Sequence, residues 1–180
     1  MRKGGGAQKG AVFERKVCIL LSLWVTDGER AEIFVRNVQS GGKFTQAVKI
    51  NNYERGMPGD VMAGHPMAFA FLQKFAVECK HLRTLNIDEF VFGKNSTMLG
   101  KIIQHSEKQS KLAGLHYMVV AKQNHREIIT LMPTPIFEIM QGCVKLGTLM
   151  HHDFHRRKVT LCYFEDMVKY VDAAEFLAKV

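Results

Sequence analysis

The sequence predicts an α/β fold in which helices flank a mixed β-sheet. Three observations predict it. Apolar residues recur at helical spacing near both ends of the chain. Short apolar runs bounded by Gly, Pro and Asn lie between them. A further helical segment divides those runs into two sets, giving the order helix, strands, helix, strands, helix. The length of 180 residues suits one domain with a normal core. Residues 1–10, basic and rich in Gly, read as a flexible arm, and residues 11–180 as the domain.

From Val12 to Trp24, the positions Phe13, Val17, Leu20, Leu21 and Trp24 form a helical stripe that Asp27-Gly28 closes. Ala31–Val35 and Gln46–Ile50 read as strands separated by the turn-rich Ser40-Gly41-Gly42. After a turn at Met57-Pro58-Gly59, Val61–Ala63 and Phe75–Cys79 read as strands, and Met67–Leu72 fits either strand or helix. Ser96 or Thr97 can cap a helix running to about Ala113, with Gly114 at its end. His116–Ala121 and Glu127–Met132 read as strands joined at Asn124, the second stopped by Pro133 and Pro135. A helix is expected over Ile136–Leu146. A closing helix is expected over Glu165–Val180, with Met167, Tyr170, Val171, Ala174 and Leu177 on one face.

Composition narrows the function. At 47% hydrophobic and 23% charged, the chain is ordinary for a globular protein. Its longest nearly apolar run, Val17–Val25, is far too short for a membrane span, and the basic start lacks the apolar core of a secretory leader. The scattered Cys18, Cys79, Cys143 and Cys162 form no CxxC pair and point to reduced thiols and a cytoplasmic setting. A formal charge of +8 favours an anionic partner such as nucleic acid, although a solubilising surface accounts for it equally well.

The most informative residues are acidic. Glu78 and Lys80 interrupt a segment that was becoming fully apolar, and residues i and i+2 of a strand share a face. A carboxylate and an amine would project together from the end of a buried strand. Such burial is costly unless the charges pair or hold a metal. Asp60 follows a Pro-Gly turn and opens the apolar Val61-Met62-Ala63, so it reads as a turn residue or as a strand-edge acid able to hold a cation. Glu14 borders the apolar stripe of the first helix; alone, it also suits the positive end of that helix's dipole. Gln109 lies seven residues after Ile102 and six after Ile103, near the inward face of its helix, as a boundary residue or a polar group facing a site. Together these groups suit phosphodiester cleavage. Oxygen ligands fit Mg²⁺, with Mn²⁺ as a substitute, and an adjacent lysine can orient water or neutralise a phosphate.

Glu14 in a first helix, then Asp60, then Glu78-Cys79-Lys80, resemble the PD-(D/E)XK nuclease superfamily, with Gln109 fitting its frequent fourth element. The resemblance runs from about Lys9 to Met132 and is nearest to the small Holliday-junction-resolvase-like and phage nucleases. It implies a restriction-endonuclease-like core of about four strands. It also implies Asp60, Glu78 and the Cys79 carbonyl as metal ligands, Glu14 acting directly or through water, Lys80 as the catalytic lysine, and Gln109 as an orienting group. The implied activity is Mg²⁺-dependent cleavage of branched or structured DNA, by a homodimer where two strands are cut symmetrically. The pattern departs at one point: Gly59, not proline, precedes Asp60, with Pro58 one position back. The segment Asp27–Tyr53 is longer than in minimal resolvases, and the tail after Pro133 has no clear counterpart.

Two other functions remain open on the sequence: a non-catalytic DNA-binding module on the same fold, and a sequence-specific restriction endonuclease. His151 and His155 have zinc spacing if helical, but Arg156-Arg157-Lys158 follows at once, and a basic loop touching phosphates is the better reading. Ser40-Gly41-Gly42-Lys43 lacks the spacing of a nucleotide-binding phosphate loop. Arg36, ending a strand, reads as a surface arginine or a DNA-backbone contact.

Overall fold

The computed structural model of the chain describes residues 5–38, 58–91, 97–145, 147–154 and 158–180. Helix α1 (Gly5–Val25) buries Phe13, Val17, Leu21 and Trp24, which recur every three or four residues. It begins at Gly5, so residues 5–10, expected within a flexible arm, are helical, and the Lys9 amine is bonded to the Asn124 side chain. Asp27 (φ 50°) and Gly28 (φ 88°) end it as expected, with the Gly28 N–H donating to the Leu23 carbonyl at 2.7 Å. Buried Ser22 donates to the Cys18 carbonyl at 2.8 Å and accepts from the Phe34 N–H at 3.0 Å. That hydroxyl hangs β1 (Phe34–Arg36) on α1. The strand sits slightly later than the expected Ala31–Val35 and pairs antiparallel with β2 (Val61–Ala63). The expected turn at Ser40-Gly41-Gly42, the strand Gln46–Ile50 and Met57 lie outside the described residues.

The ambiguous Met67–Leu72 segment is helical: a 3₁₀ turn (Pro66–Ala68) runs into α2 (Phe69–Leu72). Pro66 presets the first turn, and the His65 ring accepts from the Met67 N–H at 3.3 Å. Strand β3 (Phe75–Leu82) continues past Cys79, so Glu78 and Lys80 stand inside it rather than at its end. Helix α3 (Ile87–Val91), not expected, follows Asn86 at φ 50°. Helix α4 (Met98–Leu112) is capped by Thr97, whose hydroxyl accepts from the Gly100 N–H at 3.1 Å.

Strands β4 (His116–Gln123) and β5 (Ile128–Pro133) meet at the expected Asn124 turn, where His125 takes φ 58°. Pro133 and Pro135 end β5 and also open α5 (Thr134–Gln141), which therefore starts and stops earlier than expected. The chain then forms a hairpin of β6 (His151–Phe154) and β7 (Val159–Tyr163). This corrects the reading of His151-His152-Asp153 as loop; His155, Arg156 and Arg157 lie outside the described residues. The closing helix is two helices, α6 (Phe164–Tyr170) and α7 (Ala173–Lys179). Asp172 breaks it, its carboxylate accepting from the Glu175 N–H at 2.9 Å as a new N-cap, while Val171 bridges to Val144.

The main sheet has five strands in the order β3-β4-β5-β7-β6, against about four expected. Only β3 and β4 are parallel, and the crossover between them carries α4. The mixed sheet separates two cores. Phe75, Val77 and Cys79 of β3 pack with Met118 and Val120 of β4 and with α1, α5, α6 and α7. On the other face, Val119 and Ala121 of β4 pack with Leu99, Ile102 and Ile103 of α4. Strand alternation therefore turns Glu78 and Lys80 to the α4 face, at the edge of the sheet. The architecture is a restriction-endonuclease-like α/β core. Removing the α7 cap by Asp172→Ala is expected to cost about 1 kcal/mol, or about 2–4 °C in Tm, read by thermal circular dichroism; an unchanged Tm would show that packing alone sets the break.

Candidate active site

The site grows from the junction of β2 and β3. The Asp60 N–H donates to the Val77 carbonyl at 2.7 Å, and Asp60 Oδ2 accepts from the Cys79 N–H at 2.8 Å. These two bonds hold the carboxylate against the edge of β3. The Asn37 N–H donates to the Asp60 carbonyl at 2.8 Å, and its side-chain amide donates to the Gly59 carbonyl at 3.0 Å, so β1 carries the turn from behind. Gly59 explains the missing proline. It takes φ 94°, and a Cβ there would stand 2.5 Å from the Val77 carbonyl oxygen. Only glycine lets the turn lie this close to β3, and Pro58 is displaced one position back.

Glu78 and Lys80 project from β3 together, and their side chains form an ion pair. The same amine lies 3.7 Å from Asp60 Oδ2. Both carboxylates therefore face one lysine, on one side of the sheet edge. Side-chain exposure falls from 35% at Lys80 to 17% at Glu78 and 7% at Asp60, so the amine reaches toward water while the acids stay dry. Burial, and then the Asp60 charge, push the Glu78 carboxyl above the ordinary 4.5, with Lys80 and His105 opposing. Burial alone would pull Lys80 down, but Glu78 and Asp60 outweigh it and raise its proton affinity, so the amine is charged at neutral pH. Beneath the acids lie the thiols of Cys18 and Cys79. Burial, with repulsion from Glu14 and Asp60, pushes Cys18 up to about 12, and burial with the Asp60 charge raises Cys79 well above its usual value.

Glu14 stands on α1 with 15% of its side chain exposed, and its Oε2 accepts from the Arg36 guanidinium of β1. Arg36, read from the sequence as a surface or DNA-backbone residue, is thus the partner of one of the candidate acids. Gln109 is half-buried on α4, one turn beyond His105, with its Oε1 shielded from water. His105, exposed on the same helix, is among the charges that oppose the upward push on Glu78. Sequence reasoning passed over His105 and Asn37. The i, i+4 spacing of His105 to Gln109 was a usable signal; Asn37 offered none, because its role lies in a loop-to-turn contact.

Among the described residues no three His, Cys, Asp or Glu side chains gather as a metal cage. Two carboxylates are nevertheless enough for a Mg²⁺-type ion, which keeps several waters and uses few protein ligands. The observed donors fit that demand. Asp60 and Glu78 repel each other in a nearly dry site, a repulsion a cation relieves. A strand residue turns its N–H and C=O to the same edge, so the Cys79 carbonyl faces the Asp60 side of β3.

The turn and the pair each yield a prediction. Gly59→Ala is expected to destabilise the fold by about 2–4 kcal/mol through the left-handed backbone and the Val77 contact, measured by urea unfolding; a change within about 0.5 kcal/mol would show that the turn relaxes freely. Glu78 holds its proton more tightly folded than unfolded, so its contribution favours the fold below 4.5 and fades as pH rises through the raised folded value. The Tm difference between the wild type and Glu78→Gln is therefore expected to shift against the wild type from about pH 4 to about pH 8. A pH-independent difference would show that burial leaves this carboxyl unshifted.

Comparison with known proteins identifies a family. The family model described as "Phage putative PDDEXK endonuclease" matches residues 6–176. The match runs from α1 through the tail after Pro133, which the superfamily resemblance alone left without a counterpart. No curated protein and no solved structure matches the chain. With an acid-acid-lysine cluster on the edge of a mixed sheet and a family match over nearly its whole length, the chain belongs to this family of phage PD-(D/E)XK endonucleases.

Proposed function

We propose that the protein is a Mg²⁺-dependent endodeoxyribonuclease that hydrolyses phosphodiester bonds in branched or structured DNA, acting as a homodimer. The observation that carries the reading is the convergence of Asp60 and Glu78 on the Lys80 amine at the sheet edge. In this reading the working unit is one nuclease domain that includes α1 from Gly5. Its four buried free cysteines suit a reducing cytoplasm such as that of a phage-infected cell.

Asp60, Glu78 and the Cys79 carbonyl would hold the divalent ion, Mg²⁺ or Mn²⁺ in its place, and the bound ion would supply an acidified water and positive charge at the scissile phosphate. The remaining work belongs to the side chains. Asp60 is fixed by the backbone of β3, so it meets its ligand without reorganisation. Lys80 is protonated and acts as a cation: it orients the attacking water and offsets the charge that builds on the phosphate. Glu14 acts through water from α1, its orientation set by Arg36. Gln109 steadies water or backbone phosphate from α4. The net charge of +8 draws the DNA polyanion to this edge.

Labelled four-way junction, flap, single-stranded and linear duplex DNAs, each incubated with Mg²⁺, Mn²⁺ or EDTA, test the proposal. The wild type is expected to cut the junction in preference to linear duplex, and only with a divalent ion. Asp60→Asn, Glu78→Gln and Lys80→Met are each expected to lower the single-turnover rate by about 100-fold or more while retaining DNA binding in EDTA. Full cleavage by Glu78→Gln and Lys80→Met would remove the mechanism. Salt-sensitive binding without product would favour the non-catalytic module, and cleavage confined to one linear sequence would favour a restriction enzyme.

A further inference from the structure

A second basic feature lies next to the catalytic group, on the opposite face of the same strand. His81 follows Lys80 in β3, and alternation turns it toward α1. There a cleft of about 400 Å³ opens between α1 and the ends of β3 and β4. Lys9 and Lys16 line it from α1, and Lys122 from β4, where it stands in register with His81. Among the described residues, none that lines it is acidic. Lys16 is bonded to Glu165 at 2.8 Å, which offsets its charge, whereas Lys9 is bonded to the neutral amide of Asn124, and Lys122 reaches partly into solvent.

Phe13, Val12 and the His81 ring line the cleft between the lysines. The His81 ring leans on the buried Phe13 ring, with centroids 5.3 Å apart, and Val12 is exposed beside it. Ammonium groups beside an aromatic ring match a nucleotide: phosphate on the ammonium groups, base on the ring. A paired base keeps its faces stacked within the duplex; an unpaired base can present one to a protein.

We propose that this cleft binds an unpaired stretch of the DNA strand passing through the active site, with phosphates on Lys9 and Lys122 and a base against His81 and Val12. The assignment of the strand rests on the nuclease reading above. The cleft itself stands on its charge, shape and ring. Lys80 and His81 are neighbours in β3 on opposite faces, so a strand that reaches both wraps around the end of β3. Among structured DNAs, the cleft favours those in which a duplex gives way to a single strand, as at a flap or tail.

Fluorescence anisotropy in EDTA, comparing blunt duplex with the same duplex bearing a single-stranded tail, tests the cleft independently of cleavage. The wild type is expected to bind the tailed DNA roughly ten-fold more tightly. The double variant Lys9→Gln/Lys122→Gln is expected to lose that preference and about 1.4 from the salt slope measured on the tail. His81→Ala is expected to lose roughly five-fold in tail affinity with the salt slope unchanged, and Lys122→Arg to retain the preference. Equal binding of blunt and tailed DNA by the wild type, or an intact preference in the folded double variant, overturns the proposal. If tail preference depends on these residues but Mg²⁺ yields no product, the cleft stands and the nuclease reading falls.

Discussion

One aspartate holds the working edge of this molecule together. Asp60 bonds β3 twice, through its own N–H and through its carboxylate. Both bonds fall on the edge of β3 that β4 does not use, so the turn before β2 serves as a partial neighbour for an otherwise open strand. A carboxylate accepting a backbone N–H makes a charge-assisted bond, which offsets the cost of burying it. Glycine at position 59 is the steric condition for the contact, and Asn37 supports the turn from the far side. The geometry of the candidate site is therefore a by-product of how the chain closes its sheet edge.

The local electrostatics follow from that closure. Asp60, Glu78 and Glu14 are all largely shielded from water, and their cationic neighbours are Lys80 and Arg36. Glu78 registers the crowding directly, through the raised proton affinity that burial and Asp60 impose. Like charges are thereby held close together where water screens them little.

Much of this was legible in the sequence because periodicity and caps are local. The α1 stripe, the Thr97 cap, the Asn124 turn and the β4–β5 runs follow from spacing within one segment. The Glu78–Lys80 pair was legible for the same reason, since two residues on one strand share a face. What escaped depends on distant contacts. The break at Asp172 is stabilised by the Val144–Val171 bridge and by the Cys143 carbonyl, and no helical period reveals either. The β6–β7 hairpin hid behind histidines and arginines whose charge resembled a loop, whereas its strands are specified by cross-strand partners. Arg36 read as a surface residue because its partner, Glu14, lies in another element.

The thiols packed behind the acids give the molecule a built-in reporter. Cys18, Cys79, Cys143 and Cys162 are all free and buried, and burial raises each above the usual thiol range. Burial that shields a thiol and disfavours its thiolate slows alkylation in the folded protein. Iodoacetamide thus reacts fastest with molecules that have opened, and modification at Cys18 or Cys79 times the exposure of the layer beneath Asp60.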